Sequence, residues 1–391
     1  MYPTNCRYFN GYKPCAKSQD CSHSCDYLSI PSEYILIIHL GAIGAVVRAT
    51  SLLPAIKRKY PNSHITWVTD APSNQLLMGH PQIDRVLNSE WADILSLSSL
   101  NFDLAYVVDK SLKACGILKS TKAKKVLGFT SDSKSGAILP ATESAQELWS
   151  LGLDNYQKFF VNKKPETQLI NEALELGPWI RDEYSLPLSV SEASESSRRA
   201  FDWRLDETQP IIGINTGCSG AIPYKKLTID YHRKLIQKIL DTGYKNIVLL
   251  GGPEDKNRND SIGSGLPIIQ SSANKGLRDG LISVDACDIV ISGDSLGMHM
   301  AIARKKYVVA WFGPTCSHEI DLYDRGQYVL SKAPCGPCWK RHCQNELMCY
   351  DQVDVNEILS AVGQGVLIWK SKNPSSSTKQ LSSETSYLLS L

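Results

Sequence analysis

The sequence predicts an α/β protein of two Rossmann-like domains, each built on a parallel sheet. Two observations carry that prediction. Ile35-Leu-Ile-Ile-His-Leu-Gly-Ala-Ile-Gly44 and Ile291-Ser-Gly-Asp-Ser-Leu-Gly-Met-His299 each run from a buried-strand pattern through a glycine-bearing turn into a helix, one in each half of the chain. Around each of them strand and helix patterns alternate, which argues a parallel sheet covered on both faces. Two such domains would face each other across a cleft, with backbone N–H groups at helix starts offered to an anionic ligand.

The elements follow in order. Residues 1–29 form a Cys-rich extension with Gly11, Pro14 and little hydrophobic periodicity. The first domain, 30–164, opens with a strand at Tyr34–Ile38 and a helix at Val46–Lys59. Strands follow at Ser63–Thr69 and Arg85–Leu87, a helix at Ile94–Leu100 and a strand at Leu104–Val108. Residues 165–207 are polar, helix-prone and punctuated by Pro165, Pro178 and Pro187, and read as a helical connector. The second domain, 208–370, starts with the strand Ile211–Asn215, the helix Ile229–Leu240 and the strand Asn246–Leu250. Further strands are expected at Pro267–Ile269, Ile289–Ser292 and Tyr307–Phe312, before a closing helix at Val355–Trp369. Residues 371–391 are Ser-rich and expected to be disordered.

Composition bounds the function. A chain of 391 residues is long enough for two domains, each with its own core. Hydrophobic content of 42% with 21% charged residues suits a soluble globular protein, and a net charge of +2 argues against nucleic acid or an acidic membrane as main partner. No run approaches the ~18 apolar residues of a membrane span. The N-terminus lacks the charged-then-apolar layout of a signal peptide, so a cytoplasmic protein is expected.

Twelve cysteines are many for such a protein. Cys115, Cys218, Cys287 and Cys316 lie in apolar segments and read as core residues. The rest are clustered, and in a reducing compartment clustered thiols are more often metal ligands than disulfides. Cys335, Cys338, Cys343 and Cys349 open on a Cys-x-x-Cys knuckle, and four thiolates suit a structural zinc or iron ion with no open coordination position. Their loop holds few apolar residues besides Trp339, Leu347 and Met348, so a metal would supply its cohesion. Cys338→Ser is expected to remove that ion while leaving nucleotide binding largely intact. Cys6, Cys15, Cys21 and Cys25 are more loosely spaced and suit a second site, an iron–sulfur cluster included.

Asp294-Ser-Leu-Gly-Met-His299 should open a helix, with Asp294 or Ser295 as N-cap and Gly297 admitting a ligand to the backbone. The plain reading is a capped helix with a core histidine. Lys225-Lys226 follows the first strand of this half, in a loop with Gly217, Gly220 and Pro223. It reads either as a solvated lysine pair or as a cationic clamp on a diphosphate.

With Leu40-Gly-Ala-Ile-Gly44, Asn215-Thr-Gly-Cys-Ser-Gly220 and Lys225, Leu250-Gly-Gly-Pro-Glu254 and Gly293-Asp-Ser-Leu-Gly-Met-His299, the chain resembles the ADP-heptose:lipopolysaccharide heptosyltransferases, glycosyltransferase family 9. Phe102-Asp-Leu-Ala-Tyr-Val-Val-Asp-Lys110 and Cys335-Gly-Pro-Cys-Trp-Lys340 resemble one branch of it. The resemblance spans roughly residues 34–365. It implies a GT-B fold and an inverting transfer of heptose from ADP-heptose, or another ADP-sugar, with no catalytic metal. It implies a lipopolysaccharide-core or related glycan acceptor, with protein heptosylation as the alternative. A lipid-linked acceptor would bring peripheral contact with the cytoplasmic face of the inner membrane, and the oligomeric state stays open. Carried over by position, Lys225 would touch the donor phosphates, and Ser295, Leu296, Gly297 and Met298 would offer backbone N–H groups to the diphosphate. Asp294 and His299 would shape that turn, with Gly44 and Glu254 near the nucleotide-sugar.

One position departs. Where the family continues Ile-Gly with an Asp, the expected general base, this chain has Ala45. Three readings stand: a residue replaced to trap a complex, a natural nucleotide-sugar binder without activity, or another carboxylate in the role. Asp109, at the end of its strand, is the candidate substitute. The acceptor loops near 70–80 and 128–145 carry no readable motif.

Overall fold

A computed structural model describes residues 2–22 and 24–374. The Ser-rich tail expected to be disordered lies, from residue 375 on, outside the described residues. The chain divides into two compact units, Met1–Lys158 with Glu166–Asp182, and Phe159–Pro165 with Glu183–Leu391. Each is a Rossmann-like α/β unit, in agreement with the fold class expected from the sequence.

The first unit holds β1 (Tyr34–Ile38), β2 (His64–Thr69), β3 (Arg85–Asn88), β4 (Asn101–Val107), β5 (Lys122–Ser131) and β6 (Ile138–Pro140). They form one sheet in the order β3-β2-β1-β4-β5-β6. All pairs are parallel except β5 with β6, where Phe129 lies opposite Pro140. Ile35 pairs with Ile65 on one side and Leu104 on the other, which puts β1 at the centre. Every residue of β2 is buried, as is β1 after Tyr34, so both faces of the central strands are covered. Burying one such Ile or Leu side chain is worth about 1.5–3 kcal/mol.

The second unit holds β7 (Ile212–Asn215), β8 (Ile247–Leu250), β9 (Ile269–Gln270), β10 (Ile289–Gly293), β11 (Tyr307–Phe312) and β12 (Gly326–Leu330), ordered β12-β11-β10-β7-β8-β9 and parallel throughout. A separate apolar core fills it, with Leu235, Ile239, Ile289, Val309 and Ile358 all fully buried. The closing helix runs Val355–Lys372, capped by Asp354, whose carboxylate accepts the Asn356 N–H at 2.9 Å. Of the segment 165–207, Glu166–Ala173 is a helix of the first unit and Val190–Trp203 a helix of the second. Ser189 and Glu192 close a reciprocal capping box at the start of the latter.

One helix and one cysteine differ from expectation, and β5, β6 and β12 have no counterpart among the expected strands. The helix expected at Val46–Lys59 is two helices, Ile43–Ala49 and Leu52–Lys59. Pro54 has no N–H to return to the carbonyl of Thr50, and Thr50 Oγ1 instead donates to Val47 O at 2.6 Å, ending the first helix. Cys218, expected in the core with Cys115, Cys287 and Cys316, is only half-buried in the loop after β7, while the other three are buried. No helix among the described residues is long and apolar enough to cross a membrane.

Candidate functional site

In each unit the strand order reverses once, between β1 and β4 in the first and between β7 and β10 in the second. Strands flanking such a reversal send their following loops in opposite directions, which opens a crevice at their carboxyl ends. The motif residues gather at these two places.

In the second unit Asn215 ends β7, and Ser292 and Gly293 end β10 with Asp294 directly after it. The Asn215 amide donates to Gly217 O at 3.0 Å, Ser292 Oγ at 3.1 Å and Ser295 Oγ at 2.9 Å. It thereby ties together the loops that leave the two strands. Ser295 is the N-cap of the helix Leu296–Ala303, but its hydroxyl makes no capping bond, being engaged by Asn215 and Ser292 instead. The helix start therefore keeps its positive end aimed at the crevice without a side-chain cap. Two glycines make the approach feasible. A Cβ on Gly297 would come within 2.5 Å of Asn215 Cγ, and one on Gly293 within 2.2 Å of the Lys225 carbonyl oxygen.

Lys225 ends the short turn Pro223–Lys225, and its Nζ lies 3.4 Å from Asp294 Oδ2, with both side chains largely shielded from solvent. His299 is buried, its Nε2 3.8 Å from Asp294 Oδ1 and its ring 6.0 Å from that of Tyr184. Asp294 thus stands between a cation and an imidazole. Lys225 and Lys226 also act on Cys218: burial pushes that thiol up, while the two ammonium groups pull it down.

Glu254 is exposed on the turn Pro253–Asp255. The neighbouring Asp255 is the acid that reaches inward: its Oδ2 accepts the Gly252 N–H at 3.0 Å, and it packs over Gly217, where a Cβ would come within 1.9 Å of it. Sequence reading passed over Asp255 and Asn215, although the glycines opposite them were the available sign of close approach.

In the first unit Gly44 and Ala45 lie in the first turn of the helix Ile43–Ala49, both partly exposed. The Leu40 N–H donates to Asp109 Oδ2, so the ends of β1 and β4 are joined by that carboxylate. His39, 5% exposed, places Nδ1 3.3 Å from the same oxygen. Asp109 and His39 therefore form an acid–imidazole pair at the crevice of this unit. His39 was missed from the sequence, where it is one polar residue closing the run Ile35–Ile38. A cavity of about 760 Å³ lined by Arg204, Asp288, Tyr307 and Trp369 lies at the opposite edge of the second sheet, where β10 and β11 begin. It is remote from every motif residue.

The late cysteines converge. Burial and then the thiols of Cys338, Cys335 and Cys343 push Cys349 up to about 11. Their loop is pinned by Cys338 and Trp339 N–H groups donating to Pro314 O at 3.0 and 2.8 Å, and by Ser331 Oγ donating to Cys349 O at 2.6 Å. Among the described residues no group of three or more His, Cys, Asp or Glu side chains is placed so as to hold a metal ion. The Cys343 N–H donates to the Tyr224 hydroxyl at 3.0 Å, so this loop buttresses the turn that carries Lys225.

Comparison with known proteins agrees with these features. Residues 94–349 match the sequence model of glycosyltransferase family 9 (heptosyltransferase). The chain is 24% identical over 301 residues to lipopolysaccharide heptosyltransferase 2 of Salmonella typhimurium, covering 72% of this chain and 83% of that protein. In structure it is similar to a family 9 glycosyl transferase from Veillonella parvula (TM-score 0.64, 16% identity, 86% of this chain and 98% of that one). It is similar to the same degree to E. coli ADP-heptose lps heptosyltransferase II (TM-score 0.64, 19% identity, 86% and 99%). With the family model covering well over half of its length, the chain belongs to glycosyltransferase family 9, the heptosyltransferase family.

Proposed function

We propose that this protein transfers a heptose from ADP-heptose to a saccharide of the lipopolysaccharide core or a related surface glycan, with inversion and without a catalytic metal. The observation that carries the reading is the second unit's crevice, where a shielded lysine, an uncapped helix start and two obligatory glycines meet. A diphosphate leaving group needs that chemistry: cations and oriented N–H groups that take up the charge developing as the bond to the sugar breaks. The relatives named above support a heptose donor and a glycan acceptor. A lipid-linked acceptor would bring the protein to the cytoplasmic face of the inner membrane.

In the proposed reaction the acceptor hydroxyl oxygen attacks the anomeric carbon, and the bond from that carbon to the ADP oxygen breaks. ADP departs with the electron pair, and the hydroxyl proton passes to Asp109. Asp109 takes the role that the expected carboxylate at position 45 would have had, with the His39 imidazole beside it. Incubating the protein and Ala45→Asp with ADP-heptose and core oligosaccharides, read by product mass, tests this. The native chain should transfer. Donor binding without transfer in both forms would refute the enzyme reading, and transfer by Ala45→Asp alone would make the native chain a silent nucleotide-sugar binder.

The late cysteines would hold one structural zinc or iron ion, since four thiols lie in a short loop that has no core of its own and that a metal would bind together. Cys338→Ser should remove one equivalent of metal. Since Tyr224 links this loop to Lys225, ADP binding should also weaken several-fold, rather than stay intact as the sequence suggested. Tyr224→Phe should weaken ADP binding with the metal retained. Metal content unaltered by Cys338→Ser would dismiss the site, and unchanged ADP affinity in Tyr224→Phe would dismiss the link.

A further inference from the structure

Residues 2–33 contain no helix or strand among those described, only turns and bends. Such a stretch has neither a hydrogen-bonded ladder nor a core to hold one conformation. Its four cysteines nevertheless share one pocket, although no three of them are yet placed to hold an ion. Cys6, Cys15, Cys21 and Cys25 all line one cavity, closed over by Tyr8, Phe9, Tyr27 and Leu28. Three of them head a tight turn: the Phe9 N–H donates to Cys6 O at 3.0 Å, Ser18 to Cys15 O at 3.3 Å and Leu28 to Cys25 O at 3.0 Å.

We propose that these four thiolates bind one divalent ion of the zinc type, and that the N-terminal segment folds around it. The narrow space favours a single ion over a cluster. The cavity measures about 20 Å³, room for about one water-sized particle. An iron–sulfur cluster, with several iron and sulfide ions, would need several times that. A single ion would draw the sulfurs in to about 2.3 Å. Four thiolates round a divalent ion leave two negative charges, and a cation is at hand to offset them: Lys17 Nζ lies 4.9 Å from the Tyr8 ring centre and 5.9 Å from that of Tyr27.

The site also has a load to carry. Arg7, next in sequence to Cys6, donates to Asp84 Oδ1 at 2.5 Å, Ser63 O at 3.0 Å, Asn62 O at 3.1 Å and Asn62 Oδ1 at 3.0 Å. Asp84 Oδ2 in turn accepts the Ile65 N–H at 2.8 Å, at the start of β2. The ion would therefore organise a clasp on the amino-terminal edge of the first sheet, opposite the edge that carries His39 and Asp109. Its role is to stabilise the first unit, not to take part in transfer.

The test uses the full chain purified under reducing conditions with zinc present. Zinc is counted by elemental analysis in the native protein, in Cys15→Ser/Cys21→Ser and in Cys335→Ser/Cys338→Ser. The N-terminal double variant should lose one equivalent that the late double variant keeps. Should the N-terminal variant fail to fold, cobalt replaces zinc in the late double variant. Intense thiolate-to-cobalt absorption at one ion per chain, with four thiols protected from alkylation, is then expected. Equal zinc in native protein and N-terminal variant would overturn the proposal. So would a late variant that takes up no cobalt, or one whose four N-terminal cysteines are paired in disulfides.

Discussion

Asp109→Asn should lower kcat by about 10²–10⁴ and leave the affinity for ADP unchanged. Asn keeps the size of the side chain and still accepts the Leu40 N–H, so the joined ends of β1 and β4 survive the change. What it loses is the capacity to take a proton at the moment the acceptor oxygen attacks. His39 Nδ1 lies 3.3 Å from the same carboxylate without a hydrogen bond to it, so His39→Gln should cost less than Asp109→Asn and act on kcat before KM. Adding Ala45→Asp to Asp109→Asn should return much of the lost rate, because it restores a carboxylate in the helix after β1. Steady-state transfer kinetics of the three variants check this. An Asp109→Asn enzyme within threefold of native would remove Asp109 from the reaction.

Lys225→Ala should weaken ADP binding by about 10- to 150-fold, equivalent to about 1.5–3 kcal/mol for a charge-assisted hydrogen bond to phosphate. The ammonium is largely shielded from solvent and held by Asp294, so little entropy is left to lose when a diphosphate arrives. Removing it also leaves Asp294 without its cation beside the incoming anion, which adds repulsion to the lost contact. Lys225→Arg should restore part of the affinity. Isothermal calorimetry at two salt concentrations measures both effects. An unchanged dissociation constant in Lys225→Ala would shift the phosphate contact to Lys226.

The sequence was most legible where burial is complete. β1, β8 and β11 are buried on both faces and so appear as nearly unbroken apolar runs, while β2 and β10 are buried but carry His64, Thr66, Thr69 and Ser292. β5 was invisible because it opens on Lys122-Ala-Lys-Lys125 with mostly exposed side chains, and β12 because only Val329 of its five residues is buried. The split at Pro54 was readable in principle, since a missing N–H breaks the helical ladder wherever it falls beyond the first turn. At the site, contiguous motifs such as Gly293–His299 could be read directly. Pairings created by tertiary contact could not. Asp109 meets the Leu40 N–H across 69 residues, and Tyr224 meets Cys343 across 119. No local periodicity encodes either distance, and nothing local marks His39, five residues after Tyr34 in the same strand-to-turn run, as a neighbour of Asp109.

The most direct measurement is the anomeric configuration of the transferred sugar, followed by NMR with ADP-heptose and a core oligosaccharide in the presence of a chelator for divalent cations. The account predicts a product with the configuration opposite to that of the donor, formed with ADP as co-product at an initial rate that added magnesium does not raise. Retention of configuration, or a rate that falls on chelation and returns with added magnesium, would contradict it.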